Sequence, residues 1–128
     1  MTTKEVIRWL RPWPIRLPLK AHWDLSVISV ARAARLKIFW KVGGKHRTAH
    51  WWADQCRKQT APQEQHYIYA IAVDRMPVAR SLTLVVMPWD GVEVIVDGNH
   101  HLVAALLASK WGAGKCGLRS VGLIRMRR

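Results

Sequence analysis

The sequence predicts an α/β domain in which a small mixed β-sheet is flanked by helices. Two runs rich in Val, Leu and Ile, Leu82 to Met87 and Val92 to Val96, are separated by the turn-forming Pro88-Trp89-Asp90-Gly91 and so read as a hairpin. The second run passes through Asp97-Gly98 into Leu102 to Ala108, an apolar stretch of good helix formers. With 128 residues, half of them hydrophobic, the chain is long enough to bury one core, and a single domain over 1–128 is expected.

Taken in order, residues 1–20 read as a basic, Trp- and Pro-rich N-terminal arm ahead of a core at 21–128. Three prolines between Arg8 and Lys20 forbid a regular helix and favour an extended path. Arg8, Arg11 and Arg16 alternate there with Trp9 and Trp13, a composition suited to phosphate contact and base stacking, or equally to a strap packed on the domain. From Asp24 or Ser26 as N-cap, Val27 to about Lys41 reads as a basic amphipathic helix carrying Arg32, Arg35 and Lys37. Gly43-Gly44 breaks the chain, and Lys45 to about Lys58 reads as a second helix before a polar stretch over 59–65. His66 to Val73 reads as a strand, and Leu118 to Met126 as a closing strand after a helix stop at Gly112-Ala113-Gly114.

Charge bounds the partners. The 21 Lys and Arg against 8 Asp and Glu leave a formal +13, which points to a polyanion: nucleic acid first, with an anionic membrane surface or an acidic protein as the other choices. No segment approaches the ~20 apolar residues of a membrane span. Cys56 and Cys116 fit neither a metal-ligand spacing nor a disulfide framework, so a reducing, cytoplasmic setting is the simpler expectation. Eight tryptophans supply amphipathic rings of a kind enriched at binding surfaces as well as in cores.

The strand-to-helix corner over 96–101 carries the chemistry. A strand that turns directly into a helix aims the first free amides, and the positive end of the helix dipole, at one place. Gly98 permits a tight turn or close approach of a phosphate, Asn99 can cap the helix, and His100 and His101 lie in the first turn. The run Val94-Ile95-Val96-Asp97-Gly98-Asn99-His100-His101-Leu102-Val103-Ala104-Ala105 resembles the strand, Asp-Gly-x-His-Arg corner and Ala-Ala helix of ParB/sulfiredoxin-like domains, a likeness extending over residues 82–124. That superfamily includes CTP-binding partition proteins, sulfiredoxin, and plasmid or phage proteins described as nucleases, and its corner holds nucleotide phosphates. The resemblance implies a phosphate site at Gly98, Asn99, His100 and His101, with Gly98 as the approach glycine and His100 as a ligand. His101 stands where the family has arginine, and an imidazole is cationic only near its pKa of about 6.5. Asn99 stands at the place of the sulfiredoxin cysteine, so repair of cysteine sulfinic acid is not implied.

Other constellations say less. His46, His50 and Asp54 recur every four residues and would share a helix face, for which a solvated surface is the simpler reading. Gly112-Ala113-Gly114-Lys115 lacks the full phosphate-loop pattern and follows a helix instead of preceding one. The expected function is therefore a nucleic-acid-binding protein of plasmid or phage type. One alternative is a nuclease or nucleotide hydrolase in which Asp97, His100 and His101 hold Mg2+ beside a phosphate. The other is a small interaction protein that inhibits another protein machine.

Overall fold

The computed structural model describes residues 1–8, 17–58, 65–111 and 116–127. In chain order the elements are α1 (Thr3–Ile7), β1 (Trp23–Ser29), α2 (Val30–Ala33), β2 (Lys37–Val42), β3 (Lys45–Thr48), α3 (Ala49–Arg57), α4 (Gln65–Asp74), a 3-10 turn at Met76–Val78, β4 (Thr83–Trp89), β5 (Val92–Asp97), α5 (Asn99–Trp111) and β6 (Ser120–Met126). The strands form one mixed sheet in the order β1-β6-β4-β5-β2-β3. The β4–β6 and β2–β5 pairs are parallel, and β1–β6, β4–β5 and β2–β3 are antiparallel. The α/β expectation of a small mixed sheet with flanking helices therefore holds.

Alternation along the strands sends side chains to two cores. On one face Ile28, Ile38, Leu84, Val86, Ile95 and Leu123 pack under α3, α4 and α5. There α5 is enclosed: every residue from Leu102 to Ala108 is at most 4 % exposed. A helix apolar all round must be covered on all sides, and each of its leucines contributes roughly 1.5–3 kcal/mol by leaving water. On the other face Val85, Met87, Val94, Val96 and Ile124 meet Trp23, Val6 and Leu17. The N-terminal residues are tied down there, because the Met1 ammonium donates to the Trp23 carbonyl and Trp23 Nε1 donates to Thr3 Oγ1.

Several local expectations change. The supposed helix over 27–41 is β1, one turn of α2 and β2, and its N-cap is Ser29, whose Oγ accepts from the Arg32 amide. The alternation Trp23-Asp24-Leu25-Ser26-Val27-Ile28 and the β-favouring Ile38-Phe39-Trp40 outweigh the looser helical spacing. The helix expected over 45–58 starts only at Ala49, after β3, with Thr48 Oγ1 accepting from the Trp51 amide. Residues expected as a strand over 66–73 form α4, because Ile68, Ile71 and Ala72 stand at helical spacing and are buried in the core with α5. The hairpin turn tightens to Asp90-Gly91, both at positive φ (51° and 79°), the conformation whose twist suits two strands. The ends of the expected arm belong to the packed N-terminal segment, α1 and Leu17, whereas Trp9, Arg11, Trp13 and Arg16 lie outside the described residues, as do the helix stop at 112–114 and most of the polar stretch at 59–65.

Candidate nucleic-acid interface

The corner forms as the sequence implies: β5 ends at Asp97, Gly98 turns, and α5 begins at Asn99. The reason for the glycine is internal. Gly98 sits at φ +91°, and a Cβ there would lie 2.8 Å from Leu84 Cδ2 and 3.1 Å from the Thr83 carbonyl oxygen. Close approach of β4 thus demands glycine whether or not a phosphate binds. Asn99 is the first residue of the helix instead of its cap, and at 3 % exposure its Oδ1 is buried without a hydrogen-bond partner.

The register explains what surrounds the corner. Lys37 and Ile38 of β2 lie opposite Val94 and Ile95 of β5, so two residues further on Trp40 comes level with Asp97. The Trp40 ring meets the His100 imidazole at 4.5 Å between centroids, and Tyr67 of α4 closes on the same imidazole edge-on at 4.9 Å. Behind Trp40 the contacts continue to Trp52 at 5.0 Å and from Trp52 to Trp51 at 5.4 Å. The Arg47 guanidinium lies over Trp51, 5.4 Å from the ring centre, a cation–π contact. A row of π systems therefore runs from a cation on β3 to the first turn of α5. Its inner member, Trp52, is fully buried; Trp40, Trp51 and His100 are half-buried, and Tyr67 is 42 % exposed.

Cations crowd the same edge of the sheet: Arg35 just before β2, Lys37 on β2, and Lys45 and Arg47 on β3 are all exposed, and among the described residues none of them pairs with a carboxylate. Arg32, also exposed, lies elsewhere, on α2, which packs on β1 and β6. The carboxylates that do pair engage other cations: Asp54 with Arg57 and Lys58, Asp90 with Lys41, Glu93 with Arg125, and Asp24 with Arg127. Arg35 and His50 also line an open groove of about 670 Å3 beside the start of α3, with Val30, Ala34 and Leu106 as its apolar wall. The start of α3 is itself occupied, since its first two amides donate to the Leu36 and Ala34 carbonyls and the third to Thr48. Arg8 is exposed at the end of α1.

Other expected sites do not assemble. Among the described residues no three His, Cys, Asp or Glu side chains converge tightly enough to hold a metal ion, so Asp97, His100 and His101 do not make one donor set. Of His46, His50 and Asp54 only the last two stand a turn apart on α3; His46 is on β3, buried, with Nδ1 3.1 Å from the Ile38 carbonyl oxygen. Burial pushes the Cys56 thiol up to about 11, which leaves it protonated and unreactive near neutrality.

No protein-family model, no curated protein and no solved structure matches this chain. The residues that sequence reasoning passed over are Trp40, Arg47, Trp51, Trp52 and Tyr67. The abundance of tryptophan was a signal, but only the pairing of β2 with β5 and the packing of α4 on α5 bring these rings to one corner.

Proposed function

We propose that the protein binds nucleic acid at the β2–β3 edge, with unstacked bases against Tyr67 and Trp40 and the backbone following Arg47, Lys45 and Lys37. The observation that carries this reading is the row of rings from Arg47 to Tyr67, ending at the first turn of α5. Aromatic faces beside unneutralised cations are the combination that holds single strands, because every base has a π face and every linkage a charge. Backbone amides in a first helical turn favour an anion, so a phosphate at His100 and His101 fits the same picture and agrees with the ParB/sulfiredoxin resemblance. Duplex DNA, whose bases are stacked away, should bind through its phosphates alone and therefore more weakly.

The test is a tryptophan-fluorescence titration with single-stranded DNA, duplex DNA, CTP and ATP at two salt concentrations, with and without Mg2+. Single-stranded DNA should quench the rings with a steep salt dependence, and Tyr67→Ala should weaken it roughly 5- to 150-fold, the span of about 1–3 kcal/mol for one stacked base. Tyr67 is the preferred probe because Trp40 also supports buried Trp52. Absence of quenching, or affinity indifferent to salt, would remove this reading. Tight nucleotide binding that outcompetes DNA would make the corner a nucleotide site, and cleavage dependent on Mg2+ would make it a nuclease.

A further inference from the structure

The groove beside the start of α3 lies at the other end of β2 from the ring row. Lys37 opens β2 and Trp40 follows three residues later, about 10 Å along the strand at ~3.3 Å per residue. Helix α5 spans the same gap. His100 in its first turn meets Trp40, and Ser109, about 14 Å further on at ~1.5 Å per residue, lines the groove. Val30, Ala31, Ala34 and Leu106 make the wall apolar, and about 670 Å3 is a volume typical of pockets that hold small ligands. Polar groups stand along it. The Arg35 guanidinium is exposed and, among the described residues, pairs with no carboxylate. Thr48 Oγ1 accepts from the Trp51 amide, so its own proton remains to donate; Ser109 Oγ donates to the Ala105 carbonyl, so its lone pairs remain to accept. Among the described residues no Asp or Glu lines the groove. Exposed Arg32 follows Ala31 on α2, and the carbonyl of exposed Arg119 accepts from the Val30 amide, so the surroundings are positive as well.

We propose that this groove receives a further base of the single strand held at the ring row, with the adjoining phosphate on Arg35 and the intervening backbone on Lys37. The inference rests on single-strand binding at the β2–β3 edge and gives that strand a second point of attachment. Charge and polarity select the occupant. A groove with a cation and no carboxylate favours an anion, and its apolar wall favours one that carries an apolar or flat body. An acyl chain would cover the wall but strip water from the Thr48 and Ser109 hydroxyls without replacing it. A base does both, because its edge carries donors and acceptors while its face lies on Val30 and Leu106. The groove and the ring row stand roughly 10–14 Å apart, within reach of one short oligonucleotide. The second contact is then intramolecular, so it multiplies the affinity of the first. Affinity should therefore rise in a step with strand length.

The experiment is a fluorescence-anisotropy titration of end-labelled oligothymidines, from two to about sixteen nucleotides, against the full chain and its Ala31→Phe, Ser109→Phe and Tyr67→Ala variants. Ala31 and Ser109 are exposed at the groove, so a phenylalanine at either fills it without entering the core, and thermal unfolding should be unchanged. The wild type should gain roughly tenfold or more in affinity at the length that bridges row and groove. Each phenylalanine variant should lose that gain yet bind the shortest strands as the wild type does, whereas Tyr67→Ala should weaken binding at every length. A 4-thiothymidine placed at each end of a long oligomer in turn should photo-cross-link, from one end only, to residues 30–35 or 106–109. Phenylalanine variants that keep the full gain, or cross-links to neither segment, overturn the groove; if Tyr67→Ala still weakens binding, the ring row stands without it. A chain that binds no single strand overturns both. Calorimetric binding of decanoate that Ala31→Phe abolishes, with no step in the length series, would assign the groove to an acyl anion and overturn the proposal.

Discussion

At one edge of the sheet, β3 presents Lys45 and Arg47 within four residues; at the other, β1 presents Leu25 and Val27 within seven. Beside the first lie exposed Arg35 and Lys37 and the ring row ending at Tyr67. Along the second the sole charge is a carboxylate already tied to Arg127. A formal +13 is thus not spread evenly over the two edges. Net charge read from composition narrows the classes of partner to propose, and the order of strands says which edge gathers the cations.

The largest expected effect comes from reversing charge on one edge at a time. Lys45→Glu with Arg47→Glu should lower affinity for single-stranded DNA by roughly two orders of magnitude near 0.1 M salt and flatten the salt dependence, since each phosphate contact contributes about 0.7–0.9 to the logarithmic slope. Lys4→Glu with Lys20→Glu makes the same change in net charge near the β1 end and should cost far less. Equal losses from the two pairs, measured by fluorescence titration across salt, would erase the distinction between the edges and return binding to the N-terminal segment.

A smaller effect separates what the corner needs in order to fold from what it offers a ligand. Gly98→Ala puts a Cβ against Leu84 and Thr83 at a backbone angle that L-residues resist, which should cost at least about 1–2 kcal/mol. Thermal unfolding should then drop by roughly 4–10 °C. If stability is unchanged while DNA affinity collapses, the glycine serves the ligand and not the packing of β4.

Much of the C-terminal half was legible because its signals are local. Asp90-Gly91 fixes a hairpin by itself, and the apolar run Leu102 to Ala108 can only be a buried helix once β5 turns at Gly98. The N-terminal half was misread where neighbours decide the outcome. Val27 to Lys41 holds apolar residues at spacings that suit a helix, yet β6 and β5 capture its two ends as strands. Residues from Gln65 to Asp74 combine Tyr, Ile and Val in a way that suits a strand, yet their burial beside α5 makes them a helix. The strand-to-helix corner at Gly98 was visible as a motif. Its ring row was not, because Trp40, Trp51, Trp52, Tyr67 and His100 come from four elements that meet only after the sheet forms.

The smallest effect concerns the ion pairs that flank both edges. A hydrogen bond from Lys41 holds the Asp90 carboxyl below its ordinary value of 3.8, and one from Arg127 does the same for Asp24. A carboxyl depressed in the folded state takes up its proton first in the unfolded chain. Its contribution to stability is therefore complete above 3.8 and disappears as pH falls through the folded value. The unfolding temperature should accordingly be insensitive to these groups near neutrality and begin to fall below about pH 4. The fall should be slight for each pair, because both carboxylates face water and exposed ion pairs contribute little. Asp90→Asn and Asp24→Asn should each shallow the acid limb in thermal scans. Only Asp90→Asn, by releasing Lys41 on the cationic edge, should also tighten DNA binding; an equal gain from Asp24→Asn would mean that the strand reaches both edges and that the neutral edge is not set apart.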